Sequence, residues 1–462
     1  AIIKLAASEG AFGTSPITSF VLLLNYRGLT YVTLAATIAG SAVLLTSAAH
    51  REIRYLTAAF YVACCTIIFT FLTVEVNDFF GRSLALSPGS ITLPFVRMMF
   101  FPIVWIIYSV LLVGTGLRRE IPAVMYSGLG AAVIALFAIL IQGLNFDPVV
   151  AFRVIFNVRS LAFVVQILSL LLINGLLRDK GGVYQWSGRL QSAIRYIWCL
   201  MIFLLIVSET KDYFIFLSHD AIESVKDNLS FSRSMAIAFL SMGYALMFSW
   251  LGIRKQLFPL IHTGLGAAGV AVLLVCFVGI FYIPIEQFFP VLNIRALALL
   301  FAVIGFIVLI QFEPNIRHVL MVDLEIKRVF QFLIVVLLLD LFTVETWDYF
   351  RKGIVALTQL RSDTTDIAIT ALENLRQLSI SIVWLLYASV LMVLGLMKRF
   401  RPLRLGAITL LGISILKIFL YDLSFLDTLY RIVSFIGLGV ILLAASYLYQ
   451  RYKSIILDTG VS

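Results

Sequence analysis

Charge is scarce in this sequence. Only 13% of its 462 residues are Asp, Glu, Lys or Arg, while 61% are hydrophobic. With a mean hydropathy of +1.03, too little polar surface exists to coat soluble domains in water, and that class is excluded. Cysteine is scarcer still. Cys64, Cys65, Cys199 and Cys276 sit inside apolar runs, with neither the density of a disulfide framework nor the spacing of a metal site. Four histidines (His50, His219, His262, His318) are scattered, and no H-E-x-x-H, G-x-S-x-G or nucleotide-binding glycine loop occurs. No catalytic residue, metal or cofactor is therefore expected. The apolar runs are unbroken rather than alternating over roughly ten residues, which excludes a transmembrane β-barrel.

What is present is one apolar stretch after another, each about 20 residues long and so able to cross roughly 30 Å of hydrocarbon. The fold class expected is all-α, a polytopic transmembrane protein of about 13 spans. The formal net charge of +10 is read as loop orientation rather than attraction to nucleic acid, which is not expected as a partner. The clusters His50/Arg51/Arg54, Arg118/Arg119, Arg178/Lys180, Arg254/Lys255, Lys327/Arg328, Lys398/Arg399/Arg401/Arg404 and Arg451/Lys453 mark alternate junctions. That side is expected to be cytoplasmic, with the carboxyl terminus on it.

Three phrases recur along the chain. The first is acidic: Glu75 and Asp78, Glu209 and Asp212, Glu345 and Asp348, each Asp followed by an aromatic residue and Phe. Its glutamates stand 134 and 136 positions apart. The second sets Pro 11 positions and Asn two positions before an arginine: Arg27, Arg159 and Arg295, with Arg431 beginning a reduced fourth copy. The third is Arg97, Trp105, Tyr108 and Gly116, repeated as Arg233, Ser241, Tyr244 and Gly252 and as Arg376, Trp384, Tyr387 and Gly395. Agreement of three marks on one period predicts a repeated unit. Each unit holds four helices, with the boundaries 55–188, 189–325 and 326–462. Residues 1–54 form the end of an upstream unit with its last helix. The helices are expected at about 28–48, then 55–80, 96–117, 122–142 and 155–177, then 190–214, 232–253, 258–281 and 293–312, then 329–350, 376–397, 403–421 and 430–450. The leading helix lacks three predecessors, so a longer array upstream is expected.

On this layout the acidic phrase closes one helix and the arginines open others, both against the helix dipole at a cost of about 0.3–1 kcal/mol each. Mutual neutralisation is the expected remedy: the acids pair with arginines opening the second and fourth helices. Such clusters either staple helix ends together or line an outward-facing polar vestibule. Tyr108, Tyr244 and Tyr387, about 16 Å deeper along their helices, need a hydrogen-bond partner on a neighbouring helix, and packing is the simpler account. The long outer loops are expected at 81–95, 215–231 and 351–375.

The third unit departs from the pattern. Asp340 stands where the others have Thr70 and Leu204, and Lys417 lies within an otherwise apolar third helix. The two are expected to pair with each other. Asp340, Lys417, Glu345 and Asp348 are the candidate residues for a specific site.

The stretch from Trp384 through Gly395, Leu416-Lys417-Ile418-Phe419-Leu420-Tyr421-Asp422-Leu423 and Leu429-Tyr430-Arg431 to Tyr452 resembles the carboxyl-terminal part of the domain-of-unknown-function 2339 family of bacterial membrane proteins. The resemblance implies a bacterial inner-membrane protein, assigns no activity, and places Lys417, Asp422 and Arg431 on family-like positions. Two functions are carried forward. The first is binding or translocation of an envelope lipid, glycan or other anionic solute. The second is a non-catalytic scaffold for a larger envelope complex, with the lipid bilayer and other envelope proteins as partners. A lipid-linked transferase is the weakest alternative, since the nearby arginines would repel a metal ion.

Overall fold

The structure is a computed structural model that describes residues 26–45, 51–87, 89–90, 92–145, 153–179, 187–279, 289–320, 325–359 and 363–422, together with positions 436, 439, 443 and 447. The described residues form an all-α membrane protein. The helices are α1 (Tyr26–Leu45), α2 (Arg51–Leu86), α3 (Thr92–Arg118), α4 (Pro122–Leu144), α5 (Val158–Asp179) and α6 (Ser187–Ser218). Then follow α7 (Glu223–Lys255), α8 (Phe258–Leu273), α9 (Ile294–Leu320), α10 (Ile326–Thr358), α11 (Asp363–Met397) and α12 (Arg401–Lys417). Short π-helical turns, Leu274–Val278 and Ile418–Asp422, extend α8 and α12. Among the described residues, 11 helices are long and apolar enough to span a bilayer. α12 alone has 17 residues, and the helix expected at 430–450 lies outside the described residues.

These runs are helical because a backbone in hydrocarbon must satisfy its own N–H and C=O groups. Pro122 sits at the start of α4 and Arg401-Pro402 at the start of α12, where a missing N–H costs nothing. Pro102, inside α3, is the kind of interruption that neighbouring helices let a membrane helix carry.

The helix lengths correct the expected layout. α2, α6, α10 and α11 have 36, 32, 33 and 35 residues, well beyond the roughly 20 that cross the hydrocarbon. Segments expected as outer loops are therefore largely helix: α6 runs to Ser218 and α7 starts at Glu223, while α10 runs to Thr358 and α11 starts at Asp363. Extending an existing helix costs far less than nucleating a new one. Polar first turns such as that of α7, where Lys226 Nζ lies 3.3 Å from Glu223 Oε2, are compatible with the extension.

The chain divides into two compact units, Ala1–Gly269 with His318–Leu320, and Val270–Arg317 with Met321–Ser462. In the first, α3, α4, α5 and α6 share a core in two layers. One layer holds Met99, Ile106, Ile139, Phe163 and Met201; the other holds Val113, Met125, Ile173, Leu177 and Ile194. In the second, Phe306 of α9 packs on Phe330 of α10 with ring centroids 5.5 Å apart.

One turn recurs in the hairpins α3–α4, α7–α8 and α11–α12. Glu120, Gln256 and Arg399 are left-handed, with φ of 57°, 54° and 51°. The next N–H, of Ile121, Leu257 and Phe400, bonds back to the carbonyl of Gly116, Gly252 and Gly395 at 2.9, 2.9 and 3.0 Å. This is a Schellman closure. The same glycines are contact points: a Cβ would lie 2.5 Å from Met125 N at Gly116, 2.6 Å from Ile261 Cγ1 at Gly252 and 2.7 Å from Arg404 Cγ at Gly395. The glycine of the third phrase thus lets two membrane helices touch backbone to backbone.

The tyrosines of that phrase act in packing as well. Tyr108, Tyr244 and Tyr387 each donate their hydroxyl to a carbonyl of the preceding long helix, at Cys65, Cys199 and Val335, in every case at 2.8 Å. Trp105 and Trp384 donate Nε1–H to Thr73 and Thr343 Oγ1 at 2.9 Å. Gly252→Val is expected to force α7 from α8 and cost about 1–3 kcal/mol. Tyr244→Phe should cost about 1 kcal/mol. Thermal unfolding of the detergent-solubilised chain measures both.

Candidate functional site

Two carboxylate clusters of the same construction appear, one in each compact unit. In the first unit, Asn157 immediately precedes α5, and its Oδ1 accepts the Ser160 N–H at 2.8 Å, an N-cap. Its Nδ2 donates outward to Glu209 of α6, at 2.9 and 3.0 Å to the two oxygens. Glu209 also accepts from the Ile155 N–H at 2.8 Å, Arg159 Nη2 at 2.7 Å and Ser160 Oγ at 2.7 Å. Arg159 Nη1 donates to Asp212 Oδ2, so one guanidinium bridges both acids of the phrase. Arg159 and Asp212 are each only 2% exposed. Removed from water this far, neither charge is tolerable without the other.

In the second unit the parts recur on α9 and α10. Asn293 caps α9 through the Ala296 N–H at 2.8 Å and donates to Glu345 Oε1 at 2.6 Å. The Val291 N–H donates to Glu345 Oε2 at 2.7 Å. Arg295 donates to Asp348 and to the Gly279 carbonyl at 2.9 Å. A third instance, in the first unit, pairs Arg27 of α1 with Asp78 of α2, while Glu75 is buried. The Asn25 equivalent lies outside the described residues.

Ile155 and Val291, whose amides meet the glutamates, have φ of 67° and 64°. A β-branched residue in this region is an outlier and costs on the order of 1–3 kcal/mol. The strain turns the N–H toward the carboxylate, so each glutamate holds the loop that holds it.

The expected pairing is half corrected. The arginines opening the fourth helices (Arg159, Arg295) and the leading Arg27 do bind the acids, each reaching forward to the acidic phrase that follows it in the chain. For those of the second helices, no ion pair with the acids is found among the described residues. Arg97 Nε is buried without a hydrogen-bond partner, Arg233 donates to Ser230 Oγ at 3.2 Å, and Arg376 stacks on Trp347 with its Nε unpartnered. They stand inside longer helices, five, ten and thirteen residues after Thr92, Glu223 and Asp363, rather than at helix starts. The acids likewise lie well inside α2, α6 and α10, so the expected dipole penalty, which fades within one turn, is small for them.

The expected Asp340–Lys417 pair is also corrected. Lys417 Nζ donates to the Gln377 carbonyl at 3.1 Å and Ser381 Oγ at 2.6 Å, groups one short step across α11. Asp340 Oδ2 is buried without a hydrogen-bond partner, and no ion pair is found for it among the described residues. Asp422 lies in the π turn after α12, with its side chain outside the described residues, as is Arg431. No group of three or more His, Cys, Asp or Glu poised for a metal ion occurs among the described residues.

The asparagines belong to the second repeated phrase, whose role in the cluster is visible only in the structure. Their fixed place two residues before an arginine opening a helix was the signal, since Asn is a preferred N-cap. The amides of Ile155 and Val291 left no such mark, because a backbone donor has no residue type.

Asp340 and Asp348, on one helix, should answer substitution oppositely. Asp340→Leu removes a half-buried carboxylate whose Oδ2 is buried without a hydrogen-bond partner, though it lies within electrostatic reach of Arg295, and is expected to stabilise by about 1 kcal/mol. Asp348→Leu strands Arg295 and is expected to cost about 3–5 kcal/mol. Thermal unfolding of the two variants against the parent measures this.

No curated protein and no solved structure matches the chain. A family model described as "Predicted membrane protein (DUF2339)" matches residues 130–452, which takes in the carboxyl-terminal stretch that carried the resemblance and reaches well upstream of it. The match covers more than two thirds of the sequence and every element of the Arg159 and Arg295 clusters, and the chain belongs to the DUF2339 family of membrane proteins.

Proposed function

We propose that the chain is a non-catalytic helical scaffold of the bacterial inner membrane. It is built from four-helix units with a leading helix, with the carboxyl terminus on the cytoplasmic side and the acidic clusters facing outward. The observation that carries this reading is the saturation of Glu209 by four separate donors, Ile155, Asn157, Arg159 and Ser160. A carboxylate so filled has no lone pair left for a solute, and its effect is to fasten α5 to α6. The spacing of the arginines relative to the acids supports an array in which each unit is fastened to the next. Anchorage of other envelope proteins is the role such fastened helices suit.

A second reading, binding or carriage of an anionic envelope component, is favoured by Arg97, Arg233 and Arg376, for which no carboxylate partner is found among the described residues.

A variant series at the clusters separates staple from ligand site. Arg159→Met, Glu209→Gln, Asn293→Ala and Glu345→Gln are measured for thermal stability in detergent and for rescue of a deletion strain's envelope phenotype. For a staple, rescue falls in step with stability, Arg159→Met being worst at about 3–5 kcal/mol. A variant as stable as the parent that fails to rescue would place these carboxylates in a ligand site and overturn the reading.

A further inference from the structure

We propose that Arg351 and Arg376, in the second compact unit, form a binding site for a phosphate-bearing anion at the level of the lipid headgroups, with the Trp347 ring as its floor. Three observations converge there. First, the Arg376 guanidinium lies 4.3 Å from the centroid of the Trp347 ring. Arg351 follows Trp347 by four residues on α10 and therefore shares its helix face. One guanidinium thus lies over the indole, with a second, from the same face of α10, within electrostatic reach of it.

Second, each arginine has an acid within electrostatic reach, Asp348 for Arg351 and Glu373 for Arg376, but neither acid forms an ion pair with it among the described residues. Asp348, three residues before Arg351, is bound by Arg295. Glu373, three residues before Arg376, is exposed at the rim. No ion pair of Arg351 or Arg376 is found among the described residues, and Arg376 Nε is buried without a partner. Like charges held together with a buried N–H to spare match the needs of a phosphate, whose oxygens accept planar, bidentate guanidinium donors. Tyr421, on the π turn after α12, is within electrostatic reach of Arg376.

Third, the depth is right. α10 begins at Ile326, so Trp347 and Arg351 lie roughly 32 and 38 Å along it at 1.5 Å per residue. The hydrocarbon ends after about 30 Å, where tryptophan and tyrosine concentrate. The other copies of the acidic phrase carry Asn77 and Lys211 at the tryptophan position, and Gly81 and Ile215 at that of Arg351. The site is confined to the third unit, where repetition gives way to difference.

The anion is a phosphodiester or phosphomonoester, and its source, a lipid headgroup or free phosphate, is settled by titration. The full chain in a neutral, phosphorus-free detergent is titrated with phosphatidylglycerol, phosphatidylcholine or inorganic phosphate while its thermal midpoint is followed. The midpoint is expected to rise with phosphatidylglycerol more than with phosphatidylcholine if a lipid is the ligand, and with inorganic phosphate if a free anion suffices. In Arg351→Gln and in Arg376→Gln the half-saturating concentration is expected to rise about tenfold or more. Should Arg376→Gln fail to fold, Arg351→Gln carries the test alone. A parent that responds to none of the three probes, or variants that respond as the parent does, would overturn the site. Either result leaves the scaffold reading standing, because the Glu209 and Glu345 clusters share no residue with this one.

Discussion

A carboxylate carried into a membrane protein must be met by donors from another helix, and this requirement organises the ends of the bundle. Glu209 and Glu345 are each met at the start of the partner helix by a capping asparagine and a turned backbone amide, and Glu209 also by Arg159. The exchange is reciprocal. A helix start has unpaired N–H groups and a positive dipole end; the asparagine caps the first, and a carboxylate from outside the helix answers the second. The arginine on that same turn, unfavourable by itself at a positive helix end, is made acceptable by the second acid of the phrase. Two unfavourable placements become one closed network of bonds.

The rest of the packing is set by smaller rules that agree with it. Glycine at the crossing of the second and third helices draws two backbones into contact, and the left-handed residue four positions later closes the turn. Tyrosine and tryptophan tie the second helix to the first by single hydrogen bonds to a carbonyl or a threonine. All five left-handed non-glycine residues among the described ones belong either to this turn or to the loop before an acid-binding helix. Backbone strain therefore marks the two places where the unit must change direction.

Much of this was legible in the sequence, and the failures have physical causes. The helical class, the membrane setting and the Arg159–Glu209–Asp212 association follow from apolar run length and from charges too costly to leave alone. The helix ends differ from expectation because charged residues beyond the apolar run, such as Lys226 and Asp366, look like loop and are in fact extensions of helices. That error also misassigned Arg97, Arg233 and Arg376, which were taken for helix openers. Lys417 was matched to Asp340 on charge alone, yet a lysine on a flexible stem found a carbonyl and a hydroxyl closer by. Trp347 drew no notice, since one tryptophan among 13% aromatic residues carries no signal until its neighbour across the helix gap is known.

The direction of the pairing has a consequence for how such a chain can grow. The guanidinium always comes from earlier in the chain and the acids from later, at Arg27–Asp78, Arg159–Asp212 and Arg295–Asp348. The linkage is head-to-tail, like a coupling between railway carriages. A duplication of one whole period, inserted in phase, supplies a hook and an eye together and leaves no charge stranded. A cut out of phase would leave one half of a coupling in the lipid without its counterpart.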